Sequence, residues 1–442
     1  MAVKINIITL GCSKNTVDSE NIGGHLLAAG HQVYYDRDRN DSDIVVVNTC
    51  GFIGDAKEES VNTLLEQIEK KQHFNRRHAQ DGRQCQLVAV GCLVERYRDE
   101  LKPEMPEVDG WFGVHEWESA VAQLLAAGQQ ACDIDFASQR KVSTPKHFAY
   151  LKIAEGCNRA CSYCAIPLIR GKHISRPIDE LVSEAKSLVA QGVKELIVIA
   201  QDTTYYGLDL YGRRCLAELL ERLAVESGAE WIRLHYTYPT SFPVEALDVI
   251  RRYDNICNYI DIPLQHINSQ ILKSMQRGID REGTLNLLKM FREKLPQVSI
   301  RTTLIVGYPG ESEKDFEELK EFVREARFDR MGCFAYSPEE GTPAEKLGDP
   351  VDEEEKMRRV GELMEIQEQI SLENNQARVG KEFKVLVDRC EGDYFVARTE
   401  YDSPDVDDEV LIDSTCPLQI GEFYQVRITQ AMENDLYGEV VQ

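Results

Sequence analysis

Cys157, Cys161 and Cys164 stand in the run Gly156-Cys157-Asn158-Arg159-Ala160-Cys161-Ser162-Tyr163-Cys164. The CxxxCxxC spacing packs three soft thiolates into eight residues and offers no fourth. A closed zinc site takes four ligands, usually as two separated pairs, and a cubane cluster held wholly by protein needs four as well. Three thiolates around a 4Fe–4S cluster leave one iron open to a group that is not protein, which is an arrangement for reaction rather than support. A second set of cysteines is dispersed. Cys12 ends Leu-Gly-Cys, Cys50 ends Asn-Thr-Cys and Cys92 ends Val-Gly-Cys, each just beyond an apolar run.

Those runs, Ile5–Leu10, Ile44–Val47 and Leu87–Val90, read as buried parallel strands. Helical patterns at Ser19–Ala29 and Lys57–Lys70 separate them, so the first 134 residues form an open α/β domain. In a parallel sheet the three strand ends share one edge, where open α/β sheets bind ligands. The competing reading is three unrelated buried thiols, since cysteine is often only a small hydrophobe. Gly11, Gly51 and Gly91 adjoin the three cysteines and allow close backbone approach. Cys85 lies at the opposite end of its strand and Cys132 beyond the sheet, and both read as structural. An insertion-like stretch, His73–Gln84, makes the choice of Cys92 over Cys85 rest on the strand assignment; the Val-Gly-Cys ending favours Cys92.

A polar, aperiodic linker at Ser138–His147 leads into a βα series over residues 143–376. Strands are expected near Tyr150–Ile153, Glu195–Ala200, Trp231–Tyr236, Tyr259–Ile262, Ser299–Val306 and Arg330–Tyr336. Helices are expected at Ile178–Gln191, Arg214–Glu226, Ser269–Arg277, Thr284–Lys294 and Glu313–Ala326. Six repeats make a partial (β/α)6 barrel, with the cysteine loop following its first strand on the catalytic face. Gln201-Asp202-Thr203, His235-Tyr236 and Gln265-His266 follow later strands, and Arg301 and Thr303 lie within the fifth. The turn Gly307-Tyr308-Pro309-Gly310 lacks the ending of a phosphate-binding P-loop, and Ser312 reads as the N-cap of the next helix. Hydrogen bonding is the expected role of His173 and His266, and Cys215, Cys257 and Cys333 read as core.

The 442-residue chain has 13 cysteines and a formal net charge of −24. No apolar run approaches the ~20 residues of a membrane span, and the opening Met1-Ala-Val-Lys-Ile reads as a strand rather than a signal peptide. Cysteine-rich and without a secretory signal, the chain is expected in the reducing cytoplasm, its thiols serving metal or redox chemistry. The negative charge counts against nucleic acid and favours a basic partner. No GxSxG or HExxH pattern offers a side-chain nucleophile or a zinc-activated water.

With Tyr163 before its last cysteine, the CxxxCxxC loop on a (β/α)6 barrel resembles the radical S-adenosylmethionine superfamily. The added domain carrying Cys12, Cys50 and Cys92 narrows the resemblance to the methylthiotransferases. That resemblance implies two 4Fe–4S clusters: one on Cys157, Cys161 and Cys164 that binds S-adenosylmethionine, and one on Cys12, Cys50 and Cys92 that carries a sulfide or persulfide sulfur. S-adenosylmethionine would be both radical source and methyl donor, and a low-potential electron donor would be needed. By the same resemblance Tyr163, Gln201, Arg301 and Thr303 line the S-adenosylmethionine site.

Five short strands are expected in residues 377–442: Phe383–Val387, Tyr394–Arg398, Glu409–Ile412, Tyr424–Thr429 and Leu436–Val440. They suit a small β-barrel resembling the TRAM domain. A tRNA-binding barrel should be basic, yet this segment has six Lys/Arg against fifteen Asp/Glu, a net of −9. Its densest run is Asp402-Ser-Pro-Asp405-Val-Asp407-Asp408-Glu409, read as part of an acidic docking surface for a basic protein. The stretch Ala397–Asp407, with Ser13–Glu20 and Asp261–His266, resembles RimO-type enzymes. Membership there implies methylthiolation of an aspartate β-carbon in the twelfth small-subunit ribosomal protein. A tRNA-adenosine methylthiotransferase and a non-enzymatic iron–sulfur or zinc scaffold are the alternatives.

Overall fold

The computed structural model describes residues 2–39, 41–127 and 140–441. Cys132 and the expected first-domain end at residue 134 fall outside the described residues. Contacts divide the chain into two compact units: Met1–Ser143 with Glu155–Asn158 and Ala165–Lys172, and Thr144–Ala154 with Arg159–Cys164 and His173–Gln442.

The first unit begins with β1 (Lys4–Thr9), α1 (Ser13–Ala28), β2 (Gln32–Tyr35), β3 (Ile44–Thr49) and α2 (Gly54–Arg77). β4 (Gln86–Gly91), α3 (Cys92–Glu104), β5 (Gly110–Phe112) and α4 (Trp117–Ala127) follow. The five strands form one parallel sheet in the order β2-β1-β3-β4-β5. β3 is buried along its whole length. Its side chains alternate: Val46 packs with Ile22 and Leu26 of α1 and Leu124 of α4, while Val45 and Val47 pack with Leu64 of α2 and Leu93 of α3. The short edge strands β2 and β5 escape the sequence pattern because a sheet edge needs no continuous apolar run. The stretch His73–Gln84 is no separate insertion at its start, since α2 runs through Arg77. Cys85 is buried beside Phe74 and its amide donates to Asn75 Oδ1 at 2.7 Å, which keeps it at the amino end of β4.

Further along the chain come β6 (Phe148–Lys152), β7 (Ala154–Glu155), α5 (Ile166–Arg170), β8 (Ile174–Ser175), α6 (Ile178–Ala190) and β9 (Glu195–Ile199). They are followed by α7 (Leu216–Glu226), β10 (Trp231–Leu234), α8 (Glu245–Arg252), β11 (Tyr259–Asp261), α9 (Ser269–Ser274), α10 (Arg281–Lys294), β12 (Ser299–Val306), α11 (Glu313–Ala326), β13 (Arg330–Ala335) and α12 (Glu353–Gln376). Two parallel sheets, β6-β9-β10 and β11-β12-β13, make the six-stranded barrel wall. Thr237 N–H donating to the Asp261 carbonyl at 2.9 Å joins them. Ser312 caps α11 in a reciprocal capping box with Asp315, as its sequence position predicts.

The last strands, β14 (Glu382–Glu391), β15 (Tyr394–Thr399), β16 (Glu409–Asp413), β17 (Phe423–Ala431) and β18 (Asp435–Val440), close into a barrel in the order β14-β15-β16-β18-β17. Val385, Val387, Val410, Ile412, Val426 and Ile428 fill it.

Here the structure corrects the reading of the acidic run. Apart from its tip at Asp405 and Val406, the loop between β15 and β16 is not a solvated surface. Asp402 is fully buried and paired with Arg330 at 2.5 Å, and Asp408 lies 2.9 Å from the same guanidinium. Asp407 accepts from the Tyr259 hydroxyl at 2.7 Å and faces Arg301 at 3.4 Å. Ser403 Oγ meets His235 Nε2 at 2.9 Å. These carboxylates fasten the small barrel to the strands of the larger one. A second buried set does the same, with Glu195 between Arg233 at 2.7 Å and Arg398 at 2.5 Å. Periodicity along the run could not reveal this, because the arginines that meet it lie on other strands. The exposed acids of the small barrel are instead Glu382, Glu391, Asp393, Asp405, Asp413, Glu422, Glu433 and Glu439.

Candidate active site

In the first unit, Cys12 is the N-cap of α1, Cys50 follows β3 and Cys92 opens α3. Two of the three sulfurs thus stand at helix N-termini, whose orphan N–H groups and dipole favour a thiolate. The loops pack so closely that no side chain fits between them. A Cβ on Gly11 would lie 2.7 Å from Cys50 Cβ and 2.8 Å from its sulfur, and one on Gly51 would lie 2.8 Å from the Cys92 carbonyl group. A Cβ on Gly91 would come within 2.7 Å of the Thr49 carbonyl oxygen, and Gly11 and Gly91 both have positive φ, at 88° and 99°. Asn15 braces the cradle, its Nδ2 donating to the Leu10 and Thr49 carbonyls at 2.7 and 3.1 Å.

The thiols differ in acidity. Burial pushes Cys92 up to about 12 and also raises Cys50. Crowding by neighbouring atoms would raise Cys12 too, but Lys14, Arg170 and the Asn15 and Lys14 amides outweigh it and hold that thiol below the ordinary range. Arg170 is the charge at the centre. Its guanidinium donates to Asn15 Oδ1 at 2.5 Å, Glu155 at 2.9 Å and Asp18 at 3.2 Å. Burial opposes its charge, but Asp18, Glu155, Cys92 and Cys12 hold it protonated well above its usual value. Among the described residues no three His, Cys, Asp or Glu side chains converge on a single metal ion. A cubane is larger and its ligands stand around its corners. Three thiols on three loops, a buried cation and glycine backbone too close for any side chain fit such a group.

The local cysteine loop is anchored residue by residue. In the first unit, Cys157 N–H donates to the Gly171 carbonyl at 3.0 Å. In the second, Arg159 Nε donates to Asp202 at 2.6 Å, and Ser162 is tied to the end of α9 through the Met275 and Ser274 carbonyls at 3.1 and 2.8 Å. Cys164 N–H closes a turn on the Cys161 carbonyl at 3.1 Å. The buried Cys161 sulfur accepts from Arg277 Nη1 at 3.3 Å and lies 3.4 Å from the Tyr238 hydroxyl. Arg277 also reaches the Tyr163 hydroxyl at 3.3 Å, and Arg159 and Arg277 lie 4.0 and 4.2 Å from the Tyr238 ring centroid. Burial holds the Tyr163 hydroxyl protonated well above its usual value. Arg277 Nε is buried with no hydrogen-bond partner among the described residues. A thiolate in such cationic company suits cluster ligation.

Of the other expected site residues, Gln201 follows β9 directly beside Asp202, and Thr303 lies on β12, its carbonyl accepting from Gln265 N–H at 2.8 Å. Gln265 holds a strained φ of 75° and Tyr236 one of 55°. Arg301 is bound by Asp261 of β11 at 3.1 Å and faces Asp407 of the acidic loop at 3.4 Å. The Gly307 amide donates to the Glu311 carboxylate at 2.8 Å, so that amide is already engaged within the turn. His266 Nδ1 accepts from Asn268 N–H at 2.9 Å, and His173 Nε2 lies 3.1 Å from Ser175 Oγ. Sequence reasoning missed Arg170, Asn15, Arg277 and Tyr238. Arg170 lies only six residues beyond Cys164, a usable signal, whereas nothing local marks Arg277 or Tyr238.

The fold and the cysteine loop define the class. The Radical SAM superfamily matches residues 151–323, the TRAM domain residues 379–441 and Uncharacterized protein family UPF0004 residues 4–113. Solved structures agree on the fold. The radical S-adenosylmethionine methyltransferase TsrM from Kitasatospora setae is 13% identical with a TM-score of 0.56, over 90% of this chain and 81% of that one. The radical enzyme OxsB is 12% identical with a TM-score of 0.52, over 81% of this chain and 56% of that one. Much closer relatives carry the name "Ribosomal protein uS12 methylthiotransferase RimO". The one from Christiangramia forsetii is 55% identical over 99% of this chain and 94% of its own length. Those from Flavobacterium johnsoniae and Phocaeicola vulgatus are 55% and 52% identical over 99% of this chain and 98% and 99% of their own. The chain belongs to the RimO family and is a radical S-adenosylmethionine methylthiotransferase; membership implies a 4Fe–4S cluster and S-adenosylmethionine. Among the described residues no helix is long and apolar enough to cross a membrane.

Proposed function

We propose that this chain adds a methylthio group to the β-carbon of an aspartate in ribosomal protein uS12, acting in the cytoplasm. The observation that carries the reading is full-length identity above half with relatives named for that reaction and that protein. Relatives named for uS12 and a small barrel with exposed acids set the tRNA alternative aside.

In this reading Cys157, Cys161 and Cys164 hold one 4Fe–4S cluster and Cys12, Cys50 and Cys92 a second. With these groups bound, the clusters and S-adenosylmethionine supply the hydrogen-abstracting radical, the methyl group and the sulfur, which is chemistry beyond any side chain. The protein binds, orients and shields. Arg277 and Tyr238 hold the Cys161 sulfur in place through hydrogen bonds. Asp202, through Arg159, sets the loop that presents the three cysteines. Tyr163, Gln201, Arg301 and Thr303 line the S-adenosylmethionine site, Arg301 also facing Asp407 of the acidic loop. An external low-potential donor provides electrons, and sulfide or persulfide replenishes the sulfur.

The test is anaerobic reconstitution with S-adenosylmethionine, sulfide and reductant, offering uS12 and tRNA separately. A methylthio mass gain on uS12 is expected, and a gain on tRNA alone overturns the substrate. Cys50→Ala should keep S-adenosylmethionine cleavage and lose sulfur insertion. Full methylthiolation by that variant would remove the first triad from the mechanism, and zinc without sulfide would leave only a scaffold.

A further inference from the structure

Within the first unit a single buried arginine meets both the Cys12, Cys50 and Cys92 loops and the Cys157 end of the second cysteine loop. Arg170, 2% exposed at its side chain, closes the short helix α5. Burying a guanidinium costs stability unless carboxylates or other anions meet it. Asp18 and Glu155 do so, Glu155 Oε1 at 2.9 Å from Nη1 and Asp18 Oδ2 at a longer 3.2 Å from both Nη atoms. The remaining field falls on the sulfurs. The Arg170 charge reaches Cys12 and Cys50, and its guanidinium is within hydrogen-bond range of Cys92. Its Nη2 also holds Asn15 Oδ1 at 2.5 Å, the same oxygen that lies 3.7 Å from Cys92 Sγ. The cation therefore sits beside the sulfurs, against Cys92 directly and linked to it again through Asn15 Oδ1.

The same short segment fixes the start of the other cysteine loop. Cys157 N–H donates to the carbonyl of Gly171, the very next residue, and Arg170 pairs with Glu155, two residues before Cys157. Gly156 between them has φ of 73°, and a Cβ there would come within 2.7 Å of the Arg170 and Gly171 carbonyl oxygens. Only glycine lets the two strands of chain lie this close.

We propose that Arg170 is a positioning residue that biases the cluster on Cys12, Cys50 and Cys92 toward its reduced form while clasping that site to the Cys157 end of the second cysteine loop. The proposal rests on the two-cluster reading above. A fixed positive charge beside a cluster stabilises the state with one more electron, just as it stabilises a thiolate over a thiol. Nearby carboxylates temper that effect, so Asp18 and Arg170 act with opposite sign.

The experiment uses the full chain with Cys157, Cys161 and Cys164 all replaced by alanine, leaving one cluster to observe. After anaerobic reconstitution, iron and sulfide are counted and the cluster is titrated with dithionite under electron paramagnetic resonance. At the midpoint of this parent, Arg170→Gln is expected to cut the ratio of reduced to oxidised cluster at least tenfold, about 59 mV for one electron. Arg170→Lys, which keeps the charge and loses the fork, should restore most of the ratio. Asp18→Asn should raise it. An unchanged ratio in fully loaded Arg170→Gln overturns the proposal. If Arg170→Gln fails to load iron, Asp18→Asn decides, and an unchanged or lowered ratio there overturns it equally. A parent that binds no iron and sulfide at all removes the two-cluster reading itself, and is distinguished from the other outcomes by the metal analysis alone.

Discussion

Arg330→Met tests whether the acidic loop is an internal fastening rather than a docking face. Arg330 is 5% exposed, with Nε and Nη2 donating to Asp402 Oδ1 at 3.2 and 2.5 Å and Nη1 to the Asp329 carbonyl at 2.7 Å. Methionine replaces its length but leaves Asp402 and Asp408 buried, with Arg378, 3.8 Å from Asp402, as a distant remaining cation. Removing one partner of a buried ion pair costs about 3–5 kcal/mol. Against a typical stability of about 5–15 kcal/mol that is a large share. At an m value of about 2–3 kcal/mol/M, the urea midpoint falls by about 1–2.5 M. Trp231 packs edge-on against Phe423 of the small barrel at 4.8 Å between ring centroids, so its fluorescence reports on that contact. Because the cost is uncompensated charge, adding Asp402→Asn and Asp408→Asn to Arg330→Met should recover most of it. pH gives a second handle. Burial, only partly offset by Arg330, raises Asp408 to about 6 from an ordinary 3.8. A carboxyl whose folded-state value is raised binds its proton more tightly when folded, so its unfavourable contribution grows as pH rises from about 4 to 6. Removing Arg330 deepens that cost, and the variant's deficit should therefore shrink on acidification below 6. A shift under about 1 kcal/mol, or no recovery in the triple variant, would refute the fastening role.

Two further outcomes follow from the first unit. In Gly51→Ala the new Cβ meets Leu93 Cα at 2.7 Å and the Cys92 carbonyl group at 2.8 Å, so backbone must move; iron retained after gel filtration should fall well below wild type, and full retention would show the loops less tightly set. In the metal-free chain at pH 8, iodoacetamide should label Cys12 before Cys92, because Cys12 is exposed and held below the ordinary thiol range while Cys92 is buried and pushed up to about 12. Peptide mass mapping over time checks this, and equal labelling rates would contradict it.

Much of the architecture was legible before any coordinates. β12 and α11 run over the residues that their apolar periods predict, Ser299–Val306 and Glu313–Ala326. Hydrophobic period is a local property, and buried parallel strands state it strongly. The edge strand β2 and the eight-residue α8 were not legible, since short elements carry too few turns or alternations to stand out. The acidic run was legible as charge but not as placement. Its partners Arg301 and Arg330 lie on β12 and β13, about a hundred and about seventy residues earlier in the chain, and charge along a sequence does not say which face it meets.

The sequence by itself determined the chemistry. Three cysteines within eight residues, proposed here to leave one iron open, and three more at the ends of parallel strands, follow from residue type and period alone, because ligand number and strand polarity are local rules. Only the tertiary structure decided what surrounds those sulfurs. Arg170 meets Asn15 and Asp18 across about 150 residues of chain, and Arg277 reaches Cys161 across more than a hundred. The field at a buried thiolate is set by whichever charges folding brings within a few ångströms in a medium that screens them poorly, and no spacing along the chain encodes that distance.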